Sequence, residues 1–244
     1  MPGILYIVST PIGNLEDFTF RAHRILQEVS VIAAEDTRHT QKLCRHYRIH
    51  TPLTSYHDFN KEEKTPLLLE RLQQGQSIAL VSDAGTPLIS DPGYYLVTRS
   101  IALNIPLAPI PGPSSVLAAL SVAGLPTDSF TFVGFLPRKP TARTRLLHSL
   151  QEDPKTIVAF ETPHRIKATL LAIQEIFQDR QIAIARELTK THEEITRGTA
   201  QAILLSHHSR ALKGEMTLII EGKAKRKKQI SEGKPRAATH HLFE

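Results

Sequence analysis

Three polar strings in this chain follow apolar, β-prone runs and put carboxylates beside cationic side chains: EDTRHT (Glu35 to Thr40), FETPHR (Phe160 to Arg165) and ARELTKTHEE (Ala185 to Glu194). Carboxylates so placed can accept hydrogen bonds from sugar hydroxyls or an amino group, while Arg38, Arg165, Arg186 and Lys190 can hold a phosphate or carboxylate. Ion pairs that join parts of the fold are the alternative reading of each. Three further stretches are rich in small and turn-forming residues: STPIGNL after Val8, SDAGTPLISDPG from Ser82 to Gly93, and PIPGPSS ending at Ser115. Gly13, Gly85 and Gly112 permit close backbone approach, and Pro87, Pro92, Pro111 and Pro113 stiffen the chain before a ligand arrives. These stretches read as walls of a small-molecule site. They carry neither the lysine of a P-loop nor the glycine spacing of a dinucleotide fingerprint.

Other chemistries find less support. The twelve histidines show no paired helical spacing, HEEIT at His192 lacks the second histidine of a zinc-protease motif, and His207 and His208 read as solvated surface. No metal site is expected. Ser114 and Ser115 do not sit in a nucleophile elbow, and Cys44 reads as an inert core or surface thiol. Asp91 before Pro92, and Thr162 before Pro163, read as helix N-caps followed by the first helical residue.

The elements that must position these residues alternate strand with helix, the pattern of a parallel α/β architecture. Strands are predicted at Ile4 to Ser9, Ser30 to Ala34, Leu53 to Tyr56, up to Ser82, and Ile105 to Ile110. Helices are predicted after Asp17 as cap, with Phe18, Ala22, Ile25, Leu26 and Val29 on one face, over Thr37 to Arg48, over Leu67 to Gln74, from Pro92 and after PGPSS. A second series runs through FTFVGF at Phe130, TIVAFE at Thr156 and IAIARE at Ile182, with a helix striped by Ile166, Leu170, Ile173 and Phe177 between the last two. Glu193 to Arg197 and MTLIIEG read as later, antiparallel strands. AGLPTDS breaks the pattern, so two α/β lobes are expected, at residues 1–122 and 123–222, followed by a basic tail at 223–244; one continuous sheet is the alternative. In open parallel sheets ligands bind beyond the carboxyl ends of strands, and all three small-residue loops fall there.

Composition sets the outer bounds. The 244 residues suffice for one large domain or two small ones, and the apolar runs fall short of a membrane span. One cysteine and no secretory leader pattern point to the cytoplasm. The formal charge is +6, but from Lys223 onward seven basic residues face two acidic ones, a net of +5, so the remainder is close to neutral. The tail is either a solvated end or a nucleic-acid contact.

TPIGNL, AAEDTRHT, SDAGTPLISDPGY, PIPGPSS, GFLPRK, ETPHR and ARELTKTHEE occur in that order, and from about Leu5 to Gly222 the chain resembles the tetrapyrrole methylase family. Within it the resemblance is to the bacterial branch that methylates ribose 2′-hydroxyls of small-subunit ribosomal RNA. It implies two α/β lobes with S-adenosylmethionine in the cleft between them, and a homodimer. The family's cofactor contacts fall on Pro11, on Asp83, Ala84, Gly85 and Thr86, on Ser114 and Ser115, and on Phe160, Leu188, Gly214, Glu215 and Met216. The implied acceptor is a cytidine of 16S RNA, presented free or in an assembled subunit. Relatives acting on tetrapyrroles lack EDTRHT and GFLPRK as a rule, which favours RNA over a corrin; a corrin methylase and a non-catalytic ligand-binding relative remain the alternatives. Relatives often continue into a further helical region, where this chain has the basic segment.

In-line methyl transfer asks the protein chiefly to align a hydroxyl with the methyl, and a base helps to remove the hydroxyl proton. Candidate acceptors are Glu187, Asp36 and Glu35, with Lys190 as another if burial lowers its pKa. The ELTK turn is the first expectation. Arg38, Arg138, Lys139, Arg143 and Arg145 are expected to hold RNA phosphates.

Overall fold

The computed structural model describes residues 1–206 and 213–223. Among the described residues, ten strands form two separate five-stranded sheets. In the first, β1 (Leu5–Val8), β2 (Val31–Ala34), β3 (Leu53–Ser55), β4 (Ile78–Val81) and β5 (Leu107–Ile110) are all parallel, in the order β3-β2-β4-β1-β5. Alternate residues serve opposite faces, as the two-residue period of a strand requires. Ile32, Ala34, Ala79 and Val81 meet Ala22, Ile25 and Leu26 of α1 (Phe20–Glu28) and Cys44 of α2 (Thr37–His46). Val31, Ala33, Ile78 and Leu80 meet Leu68, Leu69 and Leu72 of α3 (Lys61–Gln73) and Leu96 of α4 (Tyr94–Ala102). The lobe is thus a three-layered sandwich. Cys44 is buried in it, and burial pushes its thiol pKa up, away from reactivity.

The second sheet comprises β6 (Phe130–Phe135), β7 (Thr156–Glu161), β8 (Gln181–Arg186), β9 (Glu194–Thr199) and β10 (Met216–Ile220), in the order β6-β7-β10-β8-β9. Only β6 and β7 are parallel; β10 lies antiparallel between β7 and β8, and β9 closes the edge antiparallel to β8. Every residue of β10 is buried, as befits a central strand. One face is covered by α6 (Pro140–Ser149), α7 (Ile166–Phe177) and α8 (Ala200–Ser206), through Leu147, Ile166, Leu170, Ile173, Phe177 and Ile203. The other face is covered by α5 (Ser115–Ala123): Val116, Ala119, Leu120 and Ala123 join Val158, Ala183, Ala185 and Ile219 in one apolar cluster. All but the last residue of this helix lie on the N-terminal side of the expected 122/123 boundary, yet its apolar face belongs to the second sheet. By packing, the chain crosses between lobes at Pro111 to Ser114.

Several local expectations are corrected. Thr19, not Asp17, caps α1, its hydroxyl accepting from Ala22 N at 3.1 Å, because Asn14 first caps a separate 3₁₀ turn over Leu15–Asp17. Asp91 caps nothing: α4 begins two residues beyond Pro92, with Gly93 at the N-cap. Thr162 does not stand at the N-cap of α7 either; Arg165 does, and Thr162 Oγ1 accepts from its Nε at 3.1 Å. No helix among the described residues is long and apolar enough to cross a membrane. His207, His208 and all but the first residue of the basic segment from Lys223 lie outside the described residues.

Candidate active site

Because β4, β1 and β5 are neighbours, the three small-residue loops that follow them emerge side by side at one end of the sheet. Two backbone bonds tie the first to the second, Thr10 N to Gly85 O at 2.9 Å and Gly85 N to Thr10 O at 3.0 Å. Gly85 makes this bridge at φ +79°, where a side chain is strained. Glu35 leaves the end of β2, adjacent to β4, so its loop joins the same cluster.

These loops face the second lobe across a cavity of about 610 Å³. Its first wall is Ile12, Glu35, Asp83 to Thr86, Ile89 to Asp91 and Ser114 to Val116. Its second is Phe135, Phe160 to Pro163, Ala185, Glu187, Leu188, Lys190 and Gly214 to Thr217. Phe160 is fixed between Phe132 and Phe135, with ring centroids 5.0 and 5.2 Å apart. Every cofactor residue implied by the family resemblance lines this cavity except Pro11; the neighbouring Ile12 supplies that part of the wall.

Backbone strain concentrates here. Among the non-glycine residues at positive φ, Arg48, Asn104 and Gln178 end helices, whereas Leu88 and Ser90 lie in the loop after β4 and Glu187 and Thr189 in the turn after β8. Such conformations persist only where surrounding structure over-determines them. In the β8 turn that structure is visible. Lys190 Nζ donates to Glu187 Oε1 at 3.0 Å and to Glu215 Oε2 at 2.8 Å, while Glu215 N donates to Glu187 Oε1 at 2.9 Å. Gly214, at φ +87°, leaves room for the Glu187 carboxylate where a Cβ would overlap it.

This triad decides the chemistry of its members. Burial works against the Lys190 charge, but Glu215 and Glu187 outweigh it and raise the pKa, so the lysine is not a base. Burial alone would raise Glu187, yet the Glu215 amide and Lys190 outweigh it and the net shift is downward. Asp36 is also a poor acceptor: Arg38 donates to both its oxygens, at 3.1 and 2.7 Å, and holds its carboxyl well below the usual range. Asp36 instead caps α2, accepting from Arg38 N at 2.8 Å, and its own amide donates to Asp83 Oδ1 at 3.0 Å.

Glu35 and Asp91 behave oppositely. Burial first, then the negative charges of Asp91 and Asp83, push Glu35 up to about 7. Burial raises Asp91 to about 6, against a hydrogen bond from Ser82 and with help from Asp83.

The cationic residues divide. Arg165 pairs with the buried Glu161 at 2.7 Å and donates to Leu136 O at 2.9 Å; Arg186 pairs with Glu194 at 2.8 Å and donates to Lys213 O at 3.1 Å. Both are structural ties. Arg38, Arg138, Lys139 and Arg145 are exposed, but Arg143 is only 5% exposed, because its place on α6 faces the core beside Leu147. Its availability for phosphate is thereby corrected. Among the described residues no group of three or more metal-ligating side chains converges.

A doubly lobed α/β fold with a cleft at parallel strand ends and an acidic, partly apolar lining is the architecture of a small-molecule-dependent enzyme. The model of the Tetrapyrrole (Corrin/Porphyrin) Methylases matches residues 4–204, and the chain belongs to that family. Its curated relatives include the "Ribosomal RNA small subunit methyltransferase I" of Synechocystis sp., 52% identical over 221 residues, covering 90% of this chain and 79% of that one. The protein of the same name from Bacillus subtilis is 48% identical over 220 residues, covering 90% and 75%. Among solved structures, the methyltransferase CobJ aligns with a TM-score of 0.69 at 16% identity, covering 92% of this chain and 96% of its own. Uroporphyrin-III C-methyltransferase from Thermus thermophilus, complexed with S-adenosylhomocysteine, aligns at 0.62 and 19%, covering 90% and 97%. These last two likenesses establish the fold.

Proposed function

We propose that the protein transfers the methyl group of S-adenosylmethionine to the 2′-hydroxyl of a cytidine ribose in small-subunit ribosomal RNA. The observation that carries this reading is the 52% identity, over nine-tenths of the chain, to a relative named for small-subunit ribosomal RNA methylation. The corrin and uroporphyrin enzymes that share the fold stand at 16–21%.

The cleft fits the cofactor on its own chemistry. A cavity of about 610 Å³ suits a ligand of that size. Ile12, Val116, Phe160, Leu188 and Met216 offer an apolar slot for a nucleobase, and Asp83 to Thr86 with Ser114 and Ser115 offer backbone and side-chain groups for the polar remainder. Of the six carboxylates in the lining, Glu161 is paired with Arg165 while Glu187 and Glu215 share Lys190, so the excess of negative charge lies mainly with Glu35, Asp83 and Asp91, complementary to a ligand with a sulfonium and an ammonium. When bound, the cofactor supplies the electrophilic methyl; the protein's part is to orient the hydroxyl and exclude water. Arg38, Arg138, Lys139 and Arg145, all exposed, are the side chains that hold the RNA backbone in this reading. The enzyme works in the cytoplasm, where the subunits are, as a homodimer.

The test is incubation with methyl-labelled cofactor and small subunits, or their naked RNA, followed by mapping of the label. Label on a cytidine 2′-oxygen is expected. Label on a base, or transfer only to a corrinoid, refutes the reading.

A further inference from the structure

The ribose-methylation reading leaves open where the hydroxyl proton goes, and the triad expected to take it is unsuited. Lys190 holds its proton between two carboxylates, Glu187 spends an oxygen on Lys190 and the Glu215 amide, and Asp36 is neutralised by Arg38. The opposite wall of the same cavity is different. Glu35 projects there from the end of β2, facing Asp83 and Asp91 from the loop after β4. The charges acting on it are those of Asp91, Asp83 and, from the segment after β3, Asp58; the Asp83 amide also donates to its carboxylate, and burial with the like charges outweighs that bond. Arg38, the cation nearest in sequence, is turned onto Asp36.

We propose that Glu35 is the proton acceptor of the methyl transfer, resting on the ribose reading above. As the ribose 2′-oxygen bonds to the methyl carbon, the carbon–sulfur pair returns to sulfur, the sulfonium becomes a neutral thioether, and the hydroxyl proton passes to the Glu35 carboxylate. Asp91 and Asp83 are positioning residues. Their like charge and the partial burial of the site keep Glu35 basic enough to accept a proton near neutral pH, where an ordinary carboxylate is a weak base. The placement also separates tasks: one wall anchors through the Lys190 triad, and the other carries the base.

The assignment is tested with E35Q, E35D and D91N. For wild type, kcat/KM for the cofactor should rise with pH through about 7 and then level, because the carboxylate must be ionised, and the limb in kcat should lie lower because the bound sulfonium favours the carboxylate. E35Q should lose that limb and more than about 100-fold in kcat at saturating cofactor, the loss persisting as the S-adenosylmethionine concentration is raised. E35D should recover part of the rate. D91N, which removes the largest like charge, should move the limb to lower pH. A readout independent of turnover is the carbon-13 resonance of labelled glutamate carboxyls: one should titrate near pH 7 in wild type, disappear in E35Q and move down in D91N. An E35Q enzyme with the limb intact, or one whose kcat returns to the wild-type value at saturating cofactor, overturns the assignment, as does a glutamate set titrating wholly in the ordinary range. Failure of the ribose reading shows separately, in wild-type label landing away from a ribose, and overturns both.

Discussion

The ion pair of Glu161 and Arg165 allows a calculation that separates architecture from ligand binding. Glu161 ends β7, is 2% exposed, lines the cleft and accepts three bonds: from Thr162 N at 2.7 Å, Thr169 Oγ1 at 2.6 Å and Arg165 at 2.7 Å. Arg165 in turn reaches Leu136 O, clamping the end of β6 to the start of α7. Arg165→Met keeps the aliphatic stem but leaves a buried carboxylate with two donors and no counter-charge. Breaking one partner of a buried pair costs about 3–5 kcal/mol; with Thr162 and Thr169 still bonded and Arg165 partly solvated, the lower end, about 3 kcal/mol, is expected. For a chain of this size that is a fall in Tm of about 6–12 °C. The double variant Glu161→Leu/Arg165→Met, with no charge left to bury, should recover at least half of the loss. The assay is thermal and urea unfolding of the two variants beside isothermal titration with S-adenosylhomocysteine. An Arg165→Met protein within about 0.5 kcal/mol of wild type but with cofactor binding abolished would refute the structural assignment and return Arg165 to the ligand.

Other substitutions separate the remaining roles. Gly214→Ala places a Cβ on the Glu187 carboxylate at a positive φ; S-adenosylhomocysteine affinity should fall about tenfold or more by titration calorimetry, since the Lys190 triad must open. Arg138→Gln, Lys139→Gln and Arg145→Gln should each weaken subunit binding and lower the salt-dependence slope by up to about 1, read from binding at several salt concentrations. Arg143→Gln should leave that slope unchanged and instead change the unfolding midpoint, because the side chain is buried. Leu218→Ala, at the centre of β10, should cost about 2–5 kcal/mol in urea unfolding.

The sequence made the layered character of both lobes legible because strand and helix periods are local. Val31 to Ala34 and Ile78 to Val81 are short apolar runs bounded by polar turns, and all eight residues are buried on one face or the other. The three small-residue loops were legible for the same reason, since turn chemistry is written in neighbouring residues. What was not legible depends on distant partners. MTLIIEG reads as a strand, but its insertion between β7 and β8 is fixed by pairing with residues about 60 and 30 positions away. Whether Lys190 is base or anchor depends on Glu215, which no spacing connects to it. Asp91 before a proline is a plausible cap by local rules, yet the cleft holds it in an irregular loop. Arg143 sits in a basic string whose helical phase turns that one arginine inward. The positive charge alone could not show it.

The division between the two walls gives these departures a common cause. A residue whose local preference is overridden is held by something non-local, and the positive-φ residues of the cleft show it: Ser90 on one wall with Leu88 in its loop, Glu187 on the other with Thr189 in its turn. The two walls use opposite electrostatic solutions. On the second, Glu187 and Glu215 share the Lys190 cation, which fixes geometry and lowers reactivity. On the first, Glu35, Asp83 and Asp91 are left to repel one another, which costs stability and raises basicity. That cost has a sign. Carboxyls whose pKa is raised in the folded state stabilise it while protonated, and the contribution is lost as pH rises through about 6 and 7. An acidic cluster of this kind is therefore a net burden on the empty protein at neutral pH. A cationic ligand relieves it, so cofactor binding should stabilise the fold more at pH 8 than at pH 5, measured as the shift in Tm at a fixed excess of S-adenosylmethionine. Equal shifts at the two pH values would mean that the first wall does not sense the ligand's charge, and the complementarity argued for the cleft would fail.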